Sequence, residues 1–597
     1  VTEIVTQPRA GAREAADGRT VGDLLLLLGS AADGAPAASR RGDGGWKRIA
    51  THRSWTLAVS GVGPRWTGFP LAILQGRAWS AFLIGELYPL TGGGTAAGRV
   101  SEAIDEQRTE VLNGHFALLA WLERERCWRL WTGPFGTLHL HWCRGDGGTA
   151  IGTACADVAG AVSRRELDGG ALRTLLRYGF MLGDRTHYRD VRLLRPGCQY
   201  TFDELGAPRG QRRYWHWSAD HGRSPDGGDL AERLDHLLRR VVGDLAADRT
   251  VALPISGGLD SRSSFSVLAP KDASGCVASV RAFSYGYQAG SVETSIARQV
   301  ARARGQEIET FTIEPYLFER LSELTAALEG FQDLTLPRQA SIAGRVEADR
   351  VLVAHWGDVW LDGLPPREGP VDAAFADARF SKRGAGWLLD HLRGVACDAS
   401  AQEILREEWR AVEAIEPADL RFKAFKTEQW SFRWTVTSLR AYQSWAFPRL
   451  PFYDARLAAF LLSIPAERLA ARRLQIEHLR RYAPDLARIK WDAYDTDLYR
   501  YRGFDAWLLP RRILARARRT LTGRRPIRRN WEVQFGGAAG RSELERYLLS
   551  EARALHEWFA PADIAGLVDD LYRRWPEPGL GYAVSMLVSL GSWLDAR

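Results

Sequence analysis

The junction at residues 250–261 restricts the fold more than any other stretch of the chain. Thr250–Ile255 is a mainly apolar run of strand length, and it passes directly into Ser256-Gly257-Gly258-Leu259-Asp260-Ser261 and then into helical sequence. A strand that is apolar on both faces must be covered on both sides, which is the habit of parallel sheets wrapped by helices. The neighbouring sequence agrees. Val280–Ser284, Ile308–Ile313 and Val351–Ala354 read as further strands, and Leu230–Leu245 and Val292–Arg304 carry helical periodicity. Alternation of this kind predicts an α/β, doubly wound parallel sheet. From about residue 385 onward the pattern is mainly helical, which predicts a helical extension to the end.

A buried strand followed by small residues and a helix turns consecutive backbone N–H groups into one concavity, where the helix end adds positive potential for phosphate. Ser256 and Ser261 add hydroxyl donors, and Gly257 and Gly258 let a ligand approach the backbone. Asp260 would repel phosphate unless it held a magnesium ion, so it is a candidate metal ligand. The G-x-x-x-x-G-K-[ST] pattern of a P-loop is absent.

The first 222 residues read differently. Short apolar or aromatic runs at Trp55–Val59, Leu71–Leu74, Ala81–Leu87, Phe116–Trp121, Trp128–Trp131 and Leu138–Trp142 are separated by Gly and Pro. They predict strands in two packed sheets. A helix is expected over Val21–Leu28, another over Glu166–Tyr178, and a hairpin from Arg195-Pro196-Gly197 to Tyr214-Trp215. The polar, Gly-rich stretch 218–228 reads as a linker, which divides the chain into 1–222 and 223–597.

Composition narrows the class. The net charge is +8, but only six of the 80 basic residues are lysines (47, 271, 382, 423, 426 and 490). The excess is an arginine habit spread along the chain, so nucleic acid is not the expected partner, and any lysine at a special position stands out. The densest basic run, nine arginines over Arg511–Arg529, reads as a solvated helix face. Six cysteines without C-x-x-C or metal spacing fit a reduced, cytoplasmic protein. No apolar run near the start approaches the roughly 20 residues that span a bilayer.

The loop at 256–261 resembles the pyrophosphate-binding loop of ATP pyrophosphatases, and other motifs narrow the resemblance to the asparagine synthetase family. Gly85-Glu86-Leu87-Tyr88, Asn113-Gly114-His115-Phe116-Ala117, and Gly133-Pro134-Phe135-Gly136 through Leu140-His141-Trp142 resemble its glutamine amidotransferase-like domain. Ser284-Tyr285-Gly286, Glu293-x-x-x-Ala297, Trp356-Gly357-Asp358 and Arg449-Leu450-Pro451-Phe452-Tyr453-Asp454 follow in the family's order. The resemblance covers about residues 51–505. It implies an N-terminal amidotransferase-like (Ntn-type) sandwich joined to an ATP pyrophosphatase domain. ATP would be bound by Leu253, Ser256, Gly257, Gly258, Leu259, Asp260, Ser261, Ser284 and Gly357, and Mg2+ by Asp260 with Asp358. Lys490 falls on the family's cation near the end of the synthetase domain, while Gln475 stands where many members carry another Lys. His355 occupies the position of a Glu in asparagine synthetases and of a catalytic Tyr in β-lactam synthetases. A neutral imidazole there would accept the proton of an attacking ammonium.

The departures matter as much. A glutaminase of this type uses an N-terminal Cys as nucleophile, but the sequence given opens Val1-Thr2-Glu3 and its nearest Cys is Cys127. The family's Arg-Gly-Pro-Asp type motif is missing too. Residues 1–222 are therefore expected to be a degenerate amidotransferase domain, with the amine supplied by the substrate. An inert amidotransferase half beside an intact ATP loop is the pattern of ring-closing synthetases, and lasso peptide cyclases suit a chain of this length best. Such an enzyme would join the N-terminal amine of a precursor core peptide to an Asp or Glu side chain, working with a leader peptidase and a leader-binding protein. The alternatives are a β-lactam synthetase-like or ammonia-dependent asparagine synthetase-like ligase, a tRNA-modifying ATP pyrophosphatase, and a non-catalytic ATP-binding scaffold.

Overall fold

The computed structural model describes residues 3–4, 19–33, 45–63, 68–89, 94–146, 148–162, 164–218, 229–247, 250–268, 280–342, 344–364, 368–501, 527–550 and 553–597. The fold is mixed α/β. Its N-terminal half holds two seven-stranded antiparallel sheets, packed face to face. Leu24–Leu28 lies centrally in one sheet, between Trp55–Val59 and Gly148–Gly152; in the other, Trp79–Leu87 lies between Phe69–Gln75 and Gly114–Leu122. Indoles fill the space between the sheets, with Trp55 edge-on to Trp128 at 4.9 Å. Helices close both outer faces: Ala96–Asp105 packs on the second sheet, and Cys155–Val162 and Gly169–Tyr178 pack on the first.

The strands at Trp55–Val59 and Trp79–Leu87 match their sequence patterns, but Leu24–Leu28 corrects an expectation. It forms a strand, not part of a helix over Val21–Leu28. A run of five leucines has no polar face to reveal its period. Here Leu24, Leu26 and Leu28 point between the sheets while Leu25 and Leu27 face the helices, so both faces are buried. Helix-covered layers on both sides explain why the run could be uniformly apolar.

The C-terminal half is built on a parallel five-stranded sheet in the order Ile308–Thr312, Val280–Gly286, Val251–Pro254, Arg350–Leu352, Phe447–Arg449. The fifth strand, which the sequence pattern did not reveal, ends at Arg449, the first residue of the Arg449–Asp454 motif. Helices Leu230–Ala246, Leu259–Ser266 and Val292–Ala303 cover the sheet. Beyond it the described residues form a series of separate helices, the last ending at Ala596. The last helix, Pro578–Ala596, packs into the same core as Leu25, Leu27 and helix Gly169–Tyr178, so the helical extension folds back on the N-terminal half. The expected division between 222 and 223, and the arginine run up to residue 526, lie outside the described residues.

Two motifs of the N-terminal half reach across to the parallel sheet. Glu86 bridges Arg350 at 2.8 Å and Arg449 at 2.7 Å, on two neighbouring strands. Burial would raise the Glu86 carboxyl, but the two guanidiniums outweigh it and hold it below its ordinary value. Tyr88 Oη accepts from the Leu450 amide at 3.0 Å, and Asn113 Oδ1 from the Ala455 amide at 2.7 Å. Replacing Glu86 by Ala leaves two buried cations without their carboxylate, and is expected to cost about 3 kcal/mol. Urea unfolding measures it; a loss within 0.5 kcal/mol, roughly that of an ordinary surface substitution, would show the bridge to be dispensable.

Candidate active site

The strand order places a reversal between Val251–Pro254 and Arg350–Leu352: chain connections leave these neighbours in opposite directions. In open parallel sheets a crevice forms at the carboxyl ends of such strands, and ligands bind there. The two loops singled out in the sequence leave these two strands, so both open on the same crevice.

The first loop is locally self-supporting. The Ser256 amide donates to Ser261 Oγ at 3.1 Å, the two hydroxyls lie 3.0 Å apart, and the Gly258 amide donates to Ser256 Oγ at 3.2 Å. Gly258 caps helix Leu259–Ser266 without a side chain, which leaves the first turn's N–H groups open to an anion. A Cβ at Gly257 would stand 2.7 Å from Asp492 Cβ, so only glycine lets the Lys490 loop pass this closely. Leu253 and Leu259 are buried side chains in the sheet core, able to meet a ligand only through backbone groups. Ser284, within the adjoining strand Val280–Gly286, has a buried hydroxyl with no hydrogen-bond partner among the described residues.

The second loop is strained. Trp356 takes φ +77°, in the left-handed region costly for a bulky residue. Its indole is locked in place by a 3.3 Å bond from Nε1 to Thr427 Oγ1 and by the rings of Tyr453 and Trp430. The turn aims Asp358 into the crevice. A Cβ on Gly357 would sit 2.8 Å from Asp260 Cγ, so the glycine is what lets the two loops meet.

Asp260 is bound by two groups the sequence reading did not assign to it. Arg472 Nη1 donates to Asp260 Oδ1 at 2.6 Å, and Gln475 Nε2 donates to the same oxygen at 3.1 Å and to Ser263 Oγ at 3.0 Å. Burial, with Asp358 nearby, pushes the Asp260 carboxyl above its ordinary value even against the Arg472 guanidinium. These contacts run across more than 210 residues, and nothing local in the sequence marks them.

Among the described residues no group of three or more His, Cys, Asp or Glu is arranged to hold a metal ion. Two carboxylates fit magnesium only if a substrate's phosphate oxygens complete the shell, which is how this ion is commonly bound.

Neither of the two residues expected to be catalytic hydrogen-bonds to Asp260, whose side-chain partners are Arg472 and Gln475. His355 Nδ1 is buried without a hydrogen-bond partner, and its ring stands edge-on to Tyr442 at 6.2 Å. Burial lowers its pKa to about 4, with Asp358 opposing and Arg338 assisting, so the imidazole is neutral at pH 7. Lys490 is half-exposed and ion-paired with Asp495. Its backbone is held firmly: the buried guanidinium of Arg262, on the helix of the phosphate loop, donates to the carbonyls of Ile489 and Lys490, each at 2.9 Å, and of Leu486 at 3.2 Å. Beside Asp358 a cavity of about 390 Å³ opens, walled by Asp362, Lys423, Lys426, Phe422 and Trp430.

The site is thus the switch point of a doubly wound sheet, with an open helix end and the Asp260 and Asp358 loops in contact. Residues 233–365, which contain both loops, match the family model described as asparagine synthase. That stretch belongs to the asparagine synthetase family, and a domain of this family indicates an ATP-dependent, amide-forming ligase. No curated protein matches the chain. Two solved structures are similar to it at 12% identity, each over 50% of this chain and 76% of its own: the allosteric regulatory enzyme of purine biosynthesis (TM-score 0.18) and a glutamine phosphoribosylpyrophosphate amidotransferase from B. subtilis complexed with ADP and GMP (TM-score 0.17). Scores that low leave the fold to be argued from this chain's own topology.

Arg262→Met removes the side chain that hydrogen-bonds the phosphate-loop helix to the Lys490 loop. It should cost about 3 kcal/mol and speed amide hydrogen exchange over 486–492. Unchanged exchange there would mean that the loop is held by other contacts.

Proposed function

We propose that this chain is an AMP-forming ligase that closes an isopeptide ring in a precursor core peptide, as lasso peptide cyclases do. A side-chain carboxylate of Asp or Glu attacks the α-phosphorus of ATP, and pyrophosphate leaves. The peptide's N-terminal amine then attacks the acyl carbon, AMP leaves with the C–O bond electrons, and the amine gives up a proton. The observation that carries the reading is the close approach of the Asp358 loop, at Gly357, to Asp260 beside the open helix end. An α/β crevice with that charge pattern suits a triphosphate. Magnesium held by the two carboxylates would offset phosphate charge.

The chain's own residues divide the remaining work. Backbone N–H groups at 256–261 would receive the departing pyrophosphate. His355 has a neutral imidazole with a free nitrogen, as a proton acceptor for the amine needs. Lys490 would meet phosphate only after leaving Asp495. A leader peptidase and a leader-binding protein would deliver the core peptide.

The test is to incubate the full chain with ATP, magnesium and a leader-free peptide bearing one Asp or Glu. Mass spectrometry should show a product lighter by one water, with AMP and pyrophosphate in equal amounts. Formation of ADP, or of a linear product amidated only when ammonia is added, would overturn the ring-closing reading. In His355→Gln, carboxylate-dependent pyrophosphate exchange should persist while amide formation slows by about 10²–10⁴-fold. Equal loss of both would remove His355 from the proton-transfer role.

A further inference from the structure

Lysine is scarce in this chain, yet three of its six lysines, Lys382, Lys423 and Lys426, line the cavity beside Asp358. They are not equivalent. Lys423 is committed to Asp419 through a buried 2.9 Å ion pair, and Asp419 also accepts from the Leu364 amide at 2.7 Å. Lys426 has no such carboxylate. Its ammonium lies 4.5 Å from the centre of the Trp430 ring and 5.5 Å from that of Trp356. Burial lowers its pKa, while Asp358 acts in the opposite sense.

The backbone at this point is unusual. Lys426 ends helix Ala418–Lys426, and the chain continues as a π-helical segment, Thr427–Thr435, before resuming as Val436–Leu439. Such segments widen a helix and re-aim its side chains, and they recur at functional sites. Here the segment sets Trp430 beside Lys426, and Thr427 holds Trp356, the strained residue of the Asp358 loop.

Packing alone does not account for a lysine here. Stacking on indoles is served at least as well by the planar guanidinium of arginine, the cation this chain uses almost everywhere else. An ammonium is instead a compact point charge with three donors, and among the described residues no acceptor takes them. We propose that Lys426 is the binding residue for the substrate's carboxylate, making this cavity the pocket for an acidic peptide side chain. The assignment rests on the ligase reading and specifies its acyl substrate. The phenyl rings of Phe180, Phe380 and Phe422 supply the apolar wall such a pocket needs around its few polar groups.

The small number of lysines makes a direct test practicable. The full chain is reductively methylated with formaldehyde and cyanoborohydride, and labelling at each lysine is followed by peptide mass spectrometry. The probes are acetyl-Gly-Asp-Gly-amide and its Asn counterpart. The Asp peptide should slow labelling of Lys426 by about tenfold at ten times its Kd, leave Lys47 unchanged, and exceed any effect of the Asn peptide. Equal protection by both, or by neither, would overturn the assignment. Lys426→Met should raise KM for an acidic peptide in pyrophosphate exchange by about tenfold or more with KM for ATP unchanged, and Lys426→Arg should recover part of the loss. An unchanged peptide KM in Lys426→Met would also overturn it. Protection without any carboxylate-dependent pyrophosphate exchange in the wild-type chain would refute adenylation while leaving the pocket assignment standing.

Discussion

The approach of Asp260 to the loop carrying Asp358 sets the terms for everything around it. Two carboxylates in one crevice repel, and burial makes the repulsion worse, because the charge is poorly solvated there. Arg472 and Gln475 meet that charge from the helical region. Gly357 is needed because any side chain would strike Asp260, and Trp356 is held in a left-handed conformation so that the loop can turn. Protein interiors do not keep so costly an arrangement without compensation. A triphosphate with its cation would supply one, and a helix end without a side-chain cap lies beside it.

The crevice in turn depends on contacts that reach far from it. Glu86, Tyr88 and Asn113, all in motifs of the N-terminal half, are bound to the edge of the parallel sheet and to the turn that follows its last strand. Whatever chemistry the N-terminal half has or lacks, it acts as a support for the other. The last helix strengthens this by entering the core beneath Leu25 and Leu27. Arg262 performs a similar service inside the synthetase half, where one buried cation joins the phosphate-loop helix to three carbonyls of the Lys490 loop.

The parallel sheet and its loops were legible because the information is local: an apolar strand, small residues and a helix stand side by side at 250–266. The run at Leu24–Leu28 was misleading for the opposite reason. Five identical side chains carry no period, and the second helical layer that buries their other face comes partly from residues beyond 530. Phe447–Arg449 was missed because three residues at a sheet edge leave no pattern. At the site, the residue types in the two loops announced themselves, whereas Arg472 was one arginine among 74. The lysines were different. Their rarity was visible from the start, but it drew attention to Lys490, and only the fold shows that Lys382, Lys423 and Lys426 share a cavity.

The central claim is that Asp260 and Asp358 hold a divalent cation together with nucleotide phosphate. It is tested most directly by titrating Mn2+ into the full chain with and without the uncleavable analogue α,β-methylene-ATP, following free Mn2+ by electron paramagnetic resonance. Since Asp260 and Asp358 alone leave the cation's shell incomplete, binding should appear with the nucleotide and be nearly absent without it. Asp260→Asn and Asp358→Asn should each weaken it by about tenfold or more, about 1.4 kcal/mol. Nucleotide-dependent Mn2+ binding that is the same in wild type and in either variant would contradict the account.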